Sequence, residues 1–482
     1  MGISFNAAAL LNGNGIDVKS VVNAILSRET GPLTAWQNQQ TDLSTQAGLL
    51  NGLNNNLTGL AAAIISLADP NGPLASQLAT SSQPGILTAS ADTTATAGTH
   101  QIVVSNLATI GTIYTDPLAD GNTSFLTGGA TSGDVKLQVG GVSGATHDIV
   151  ITQGSNDTLN TLAKYINTQK WGVTASVVTD AGGARLALYT QSTGTPGALA
   201  ITNNTSTSLV FNTPVGGTNA SFTLDGILLS SPTNTVTGAI SGVTLNLVSA
   251  APLTTVQLAV GPDSAAATAA INNFVNAYNS VLSIINAQFT VDPTTNTEGP
   301  LGSDSTLRSL QSSLLNDVTY SITGNSGLVN LASLGIDFNN DGTLTVNQVA
   351  TDTHPSLSHV LATNPSAVQS FFQNAASTGF ANNFNNDLFN LTDQTNGIVN
   401  VDIAGNKTQQ KALATQITNL QDRLTAEQKA LTLEYAQVNA TLEAYPSLLL
   451  TVTAEIGALN GNYSVTSNRS NNTTPNIGSP TG

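Results

Sequence analysis

Cysteine is absent from all 482 residues, and only 8% of the residues are charged, where about a quarter is usual in soluble domains. The first absence excludes a disulfide framework and any thiolate chemistry, so an exported chain of this kind must be held by its core. The second leaves the surface to Thr, Ser, Asn, Gln and Gly. Twelve Lys and Arg stand against 28 Asp and Glu, a formal net charge of −16. No basic residue falls between Arg28 and Lys136, and none between Arg185 and Arg308. A nucleic-acid binder needs clustered Lys and Arg to displace counterions from phosphates, so that partner class is excluded. No run approaches the roughly 18 apolar residues of a membrane span. Residues 1–14 have neither a basic start nor a continuous apolar stretch, and no Sec-type signal peptide is expected.

Catalytic patterns are equally scarce. There is no Gly-x-Ser-x-Gly elbow and no Gly-x-x-x-x-Gly-Lys phosphate loop. The histidines His100, His147, His354 and His359 read as solvated loop residues. Pro355 separates the last two, and they lack the i, i+4 spacing of a helical zinc pair. The stretch Asp337-Phe338-Asn339-Asn340-Asp341-Gly342 begins like a calcium loop, but Gln348 stands where a bidentate Glu would close it. It reads as a hairpin turn. The expectation is therefore no metal, no cofactor, no catalytic residue and no enzyme.

What the chain does have is two apolar stripes, one near each end. Leu33, Trp36, Gln40, Leu43, Ala47 and Leu50 step by three and four. Leu413, Ile417, Leu420 and Leu424 do the same, and after Gln428 the stripe resumes with Leu431, Tyr435, Val438, Leu442 and Tyr445. Such a stripe is a seam in need of a partner helix. The expected self-association seam is Leu33, Trp36, Leu43, Leu50, Leu413, Ile417, Leu420, Leu424, Leu431, Val438 and Leu442. The 4-4-3 step at Leu420, Leu424, Gln428 and Leu431 is a coiled-coil stutter. Pro446 should kink the second helix or end it near Tyr445.

Between these ends, residues 84–260 alternate or are rich in β-branched residues, punctuated by Gly-Gly and Asn/Asp-Gly pairs. One helix, 158–168, interrupts them with Leu159, Leu162, Ala163 and Ile166 on its face. Helical spacing returns over 264–289, 307–318, 365–373 and 378–391. The fold class expected is α+β multidomain, with a discontinuous helical coiled-coil stalk from both termini, a helical or mixed domain, and inserted β-rich, sandwich-like head domains. The boundaries expected are 1–50 with 406–462 for the stalk and 51–83 with 261–405 for a helix-rich leg. The head domains are 84–117 with 213–260, then 118–212, and 463–482 is a disordered tail.

The residues also carry a resemblance. Gly15-Ile16-Asp17-Val18-Lys19-Ser20-Val21-Val22, then Pro32-Leu33 and a Gln-rich helix, resembles the N-terminal region of the flagellar filament-capping (flagellar hook-associated protein 2) family. Gln101-Ile102-Val103-Val104-Ser105-Asn106-Leu107-Ala108 looks like the end of that region. Thr158-Leu159-Asn160-Thr161-Leu162, followed by Gly172-Val173-Thr174-Ala175, is similar to a module of flagellins and hook-associated proteins. Phe274-Val275-Asn276-Ala277-Tyr278-Asn279, Leu334-Gly335-Ile336 and Asp341-Gly342-Thr343-Leu344 fit the C-terminal region.

The resemblance implies an extracellular structural protein at the flagellum tip. It would form a ring of roughly four to six copies and help exported flagellin fold and insert. It further implies export without a cleaved signal, through the flagellar type III apparatus with its chaperone, and hook-filament junction proteins as neighbours. The competing expectation is a secreted adhesin, or a flagellin-like or hook-junction filament component.

Overall fold

The computed structural model describes residues 17–351, 354–373 and 378–459. The expected disordered tail, 463–482, lies outside them, as do the first 16 residues of the expected stalk. Asp17 caps α1 (Val18–Glu29), its carboxylate accepting the Ser20 N–H at 3.2 Å. Pro32 sits in the first turn of α2 (Gly31–Ala68), where its missing N–H costs no helical bond. Leu53, Leu57, Leu60, Ile64 and Leu67 form the buried stripe of the second half of α2. At its end the Asp69 carboxylate accepts the Asn71 N–H at 2.9 Å.

Strands follow. β1 (Gln77–Ser81), β2 (Leu87–Ala91) and β3 (Gly98–Asn106) come first. Then come β4 (Ile110–Thr115), β5 (Ser132–Val139) and β6 (Ala145–Thr152). The helix α3 (Leu159–Gln169) precedes β7 (Val173–Asp180), β8 (Gly183–Thr193), β9 (Leu199–Thr205) and β10 (Phe211–Val215). β11 (Ala220–Leu224), β12 (Ile227–Ser231), β13 (Thr235–Ile240), β14 (Val243–Leu247) and β15 (Val256–Pro262) close this part. The chain returns to helix with α4 (Ser264–Phe289) and α5 (Ser305–Val318). A hairpin of β16 (Ile336–Phe338) and β17 (Leu344–Val346) follows. The last helices are α6 (Leu357–Thr363), α7 (Pro365–Phe372), α8 (Phe380–Thr392) and α9 (Ile398–Leu459).

These elements form two compact units. Among the described residues the first holds 17–55, 287–307 and 391–459, and the second holds 56–286 and 308–390. In the second unit, a five-stranded sheet ordered β1-β15-β3-β11-β12 and a three-stranded sheet ordered β13-β14-β2 share one core. Alternation decides which side chains enter it: Val256, Leu258 and Val260 of β15 are buried while Gln257 and Ala259 face out. The β11–β12 hairpin turns on Asp225-Gly226, both at positive φ (50° and 85°), the geometry that an Asp-Gly pair supplies.

The stretch 107–219 is inserted between β3 and β11, which pair with each other. It forms its own core from a sheet ordered β10-β4-β8-β7, a sheet ordered β6-β5-β9, and α3. A capping box starts α3: Thr158 Oγ1 accepts the Thr161 N–H, and Thr161 Oγ1 accepts the Thr158 N–H.

The helical part of the second unit is built on aromatic rings. Phe274 of α4 lies 5.7 Å, centroid to centroid, from both Phe380 and Phe384 of α8, and Phe371 of α7 stacks on Phe380 at 5.3 Å. The calcium-like stretch is a hairpin turn. Gly342 takes φ 86°, and Asp341 accepts from the Thr343 N–H and hydroxyl.

Two local expectations are corrected. Of the two outcomes expected at Pro446, a kink or an end near Tyr445, the end does not occur: helix α9 continues through Pro446 to Leu459, 62 residues in all. Proline removes one i→i−4 bond, and the neighbouring turns retain theirs. The histidines are also not all solvated loop residues. His147 stacks on Trp171 (centroids 4.4 Å apart), and His100 Nδ1 lies 2.8 Å from Asp225 Oδ2. His359 is exposed but helical, on α6.

Candidate functional site

The seam residues lie in the first unit. Leu43, Leu413 and Ile417 form a buried cluster, with half-buried Leu33 and Trp36 packed on it. Leu420 and Leu424 are buried one and two turns further along α9, on which α1 also packs, burying Val21 and Val22. Leu50 is buried and lines a cavity of about 170 Å³ with Leu301, Asp304, Asp402 and Asn406. As numbers rise along α2 from Leu43 to Leu50, their neighbours on α9 fall from Gln410 to Asp402. The two helices are therefore antiparallel.

Polar rungs interrupt this seam. Gln410 Nε2 donates to the Leu43 carbonyl at 3.1 Å and to Asn406 Oδ1 at 2.6 Å, and Asn406 is itself buried. Gln46 Nε2 donates to the Pro300 carbonyl at 2.9 Å. Burial pushes the Asp402 carboxyl above its ordinary range; the Thr306 hydroxyl opposes this and nearby Asp304 adds to it. Such rungs fix register at some cost in stability.

Beyond Leu424 the environment changes. Leu431 and Leu442 are half-buried, and Val438 is 42% exposed. Tyr445, Leu449, Val452, Ile456 and Leu459 are all exposed. They continue the same three-four spacing through Pro446 to the end of the described helix. Sequence reading carried the stripe to Tyr445 but left out Leu449, Val452, Ile456 and Leu459, because Pro446 was expected to kink the helix or end it; the spacing itself was the available signal. Only Glu434, Glu443 and Glu455 carry charge between residues 430 and 459. Contiguous exposed apolar faces are, in general, where interaction surfaces lie.

The first unit is discontinuous in sequence and pairs antiparallel helices from near the two ends of the chain, the build of a structural assembly protein. A family model described as flagellar hook-associated protein 2 C-terminus matches residues 217–446, and one described as its N-terminus matches 14–110. A third, the flagellin hook IN motif, matches 129–192. The B-type flagellar hook-associated protein 2 of Pseudomonas aeruginosa is 27% identical over 480 residues, covering 92% of this chain and 95% of that one. The flagellar hook-associated protein 2 of Escherichia coli K12 is 25% identical over 348 residues, 67% and 72% of the two chains. Among solved structures, the D1-D2-D3 domains of the flagellar cap protein FliD from Escherichia coli share the fold with a TM-score of 0.58. That match has 24% identity and covers 74% of this chain and 99% of that one. The chain belongs to the flagellar hook-associated protein 2 family, a structural family and not an enzyme family.

Proposed function

We propose that this protein caps the distal end of the bacterial flagellar filament, as a closed ring of about four to six copies. In that position it promotes the folding and insertion of exported flagellin. The observation that carries this reading, beside family membership, is the seam of the first unit. Its cluster is buried from Leu43 to Leu424, and its stripe is exposed from Tyr445 to Leu459. A finished, self-contained helical pair would cover its apolar stripe along its whole length. One that leaves about 20 Å of stripe uncovered (Tyr445 to Leu459, at about 1.5 Å of rise per residue) is suited to engage another helix.

In this reading the stalk comprises 1–50 with 406–462, the leg 51–83 with 261–405, and the heads 84–117 with 213–260 and 118–212. The eleven seam residues named above, from Leu33 to Leu442, serve self-association. Export runs through the flagellar type III apparatus with its chaperone, and the hook-filament junction proteins are the first neighbours on an unextended flagellum. The polar rungs at Gln410 and Asn406 keep the pair from zipping irreversibly, which suits a part that must release and re-engage.

Complementation tests the function. In a strain lacking its own cap, the full chain should restore swimming and retain flagellin on the cell. A chain with Leu431, Leu442 and Leu449 changed to Asn should leave flagellin in the medium. Restored motility with that variant would count against the open seam as the working surface.

A further inference from the structure

The helical part of the second unit holds a buried acid. Asp317 is the second-last residue of α5 and is 3% exposed. Among the described residues, no hydrogen-bond donor reaches its buried Oδ2. Its carboxyl is hydrogen-bonded to the carboxyl of half-buried Asp387 on α8. Carboxylates only accept, so this bond requires a proton on one of the two.

The groups around the pair do not replace that proton. From α4 comes Tyr278, fully buried, whose hydroxyl donates to the Gly342 carbonyl at 3.1 Å. Burial first, then the charges of Asp317 and of Asp341 in the β16–β17 turn, push its phenol above the ordinary value. Tyr320, just past α5, donates instead to the Thr378 carbonyl at 3.1 Å. Arg308 is nine residues before Asp317 on the same helix, about 13 Å away along the axis. No Lys or Arg occurs from 309 to 406, and His354 and His359 are exposed. The last turn of α5 presents the negative end of its dipole to Asp317. Burial first, and Asp387 second, push the Asp317 carboxyl up to about 8.

We propose that Asp317 and Asp387 form a proton-dependent latch: α5 and α8 close on each other only while one proton is held between the two carboxyls, and its loss loosens this part of the molecule. The latch is independent of the capping role. In the folded state the group binds its proton far above the unfolded carboxylate value of 3.8. Its contribution to stability is therefore complete below that value and is lost as pH rises towards about 8.

Hydrogen exchange of the full chain from pH 5 to 9, corrected for the intrinsic chemical rate, tests this on peptides covering α5 and α8. Their opening constant should rise about tenfold per pH unit up to about pH 8 and then level. Peptides from the β1–β15 sandwich should not follow. In Asp317→Asn the amide donates to the Asp387 carboxylate without a proton, and the slope should vanish. Asp387→Asn, at the more exposed partner, leaves Asp317 buried, so the rise should level at a lower pH and give a shallower slope over pH 5 to 9; it decides the matter where Asp317→Asn does not fold. Equal slopes in wild type and in the folded variant would overturn the latch. So would the absence of a neutral-carboxyl infrared band from the wild-type protein at pH 7.

Discussion

The pairing of the two ends of the chain is open to a double-mutant cycle at Leu43 and Leu413. Both are buried, at 8% and 6% exposure, in a cluster completed by Ile417 with Leu33 and Trp36 on its rim. Truncation of a buried Leu to Ala costs about 2–5 kcal/mol, and the cost falls where the surroundings can collapse. A two-helix seam with a half-exposed rim can close partly over the void, so about 2–3 kcal/mol is expected for each single change. That corresponds to a shift of roughly 30- to 150-fold in the opening equilibrium of the seam. Because the two side chains share one cluster, the double variant should fall short of the sum by about 1 kcal/mol. The chain has two tryptophans. Trp36 is in this cluster and Trp171 is packed on the core of the inserted module. Urea unfolding read by fluorescence in a Trp171→Phe background therefore reports the seam alone. A coupling below about 0.3 kcal/mol, the scatter expected of independent sites, would refute the antiparallel pairing of α2 and α9.

Pro446→Ala should stiffen the distal part of α9. Alanine is better than proline inside a helix by about 3 kcal/mol, so amides just beyond residue 446 should gain about two orders of magnitude in exchange protection. Unchanged protection would mean that the helix is already fully formed there. Phe384→Ala should lower stability of the helical part of the second unit by about 4 kcal/mol in urea titrations. Its ring is fully buried and meets Phe274, Tyr278 and Phe380 at centroid distances of 5.7, 6.5 and 5.8 Å; a loss under about 1.5 kcal/mol would place the core elsewhere.

The parts of this molecule legible in the sequence are those set by local periodicity. The seam from Leu33 to Leu424, the face of α3 and the alternation of β15 follow from which side a side chain points at a fixed spacing. The Asp225-Gly226 turn follows from residues that accept positive φ. What escaped reading depends on partners far apart in the chain. Asp317 and Asp387 are 70 residues apart, and Gln410 meets the Leu43 carbonyl across 367. His147 finds Trp171 only because β6 and the end of α3 converge. α6 is too short, at seven residues, for a helical period to show. At Pro446 the local rule allowed a kink or an end, and a helix long enough to lose one bond does not end there.

The most direct test of the capping role is electron microscopy of the purified full chain mixed with flagellar filaments. Extra density should be confined to one end of each filament, and should disappear when Leu431, Leu442 and Leu449 are changed to Asn. Capping by that variant, density along the filament sides, or long filaments formed by the protein alone would contradict it.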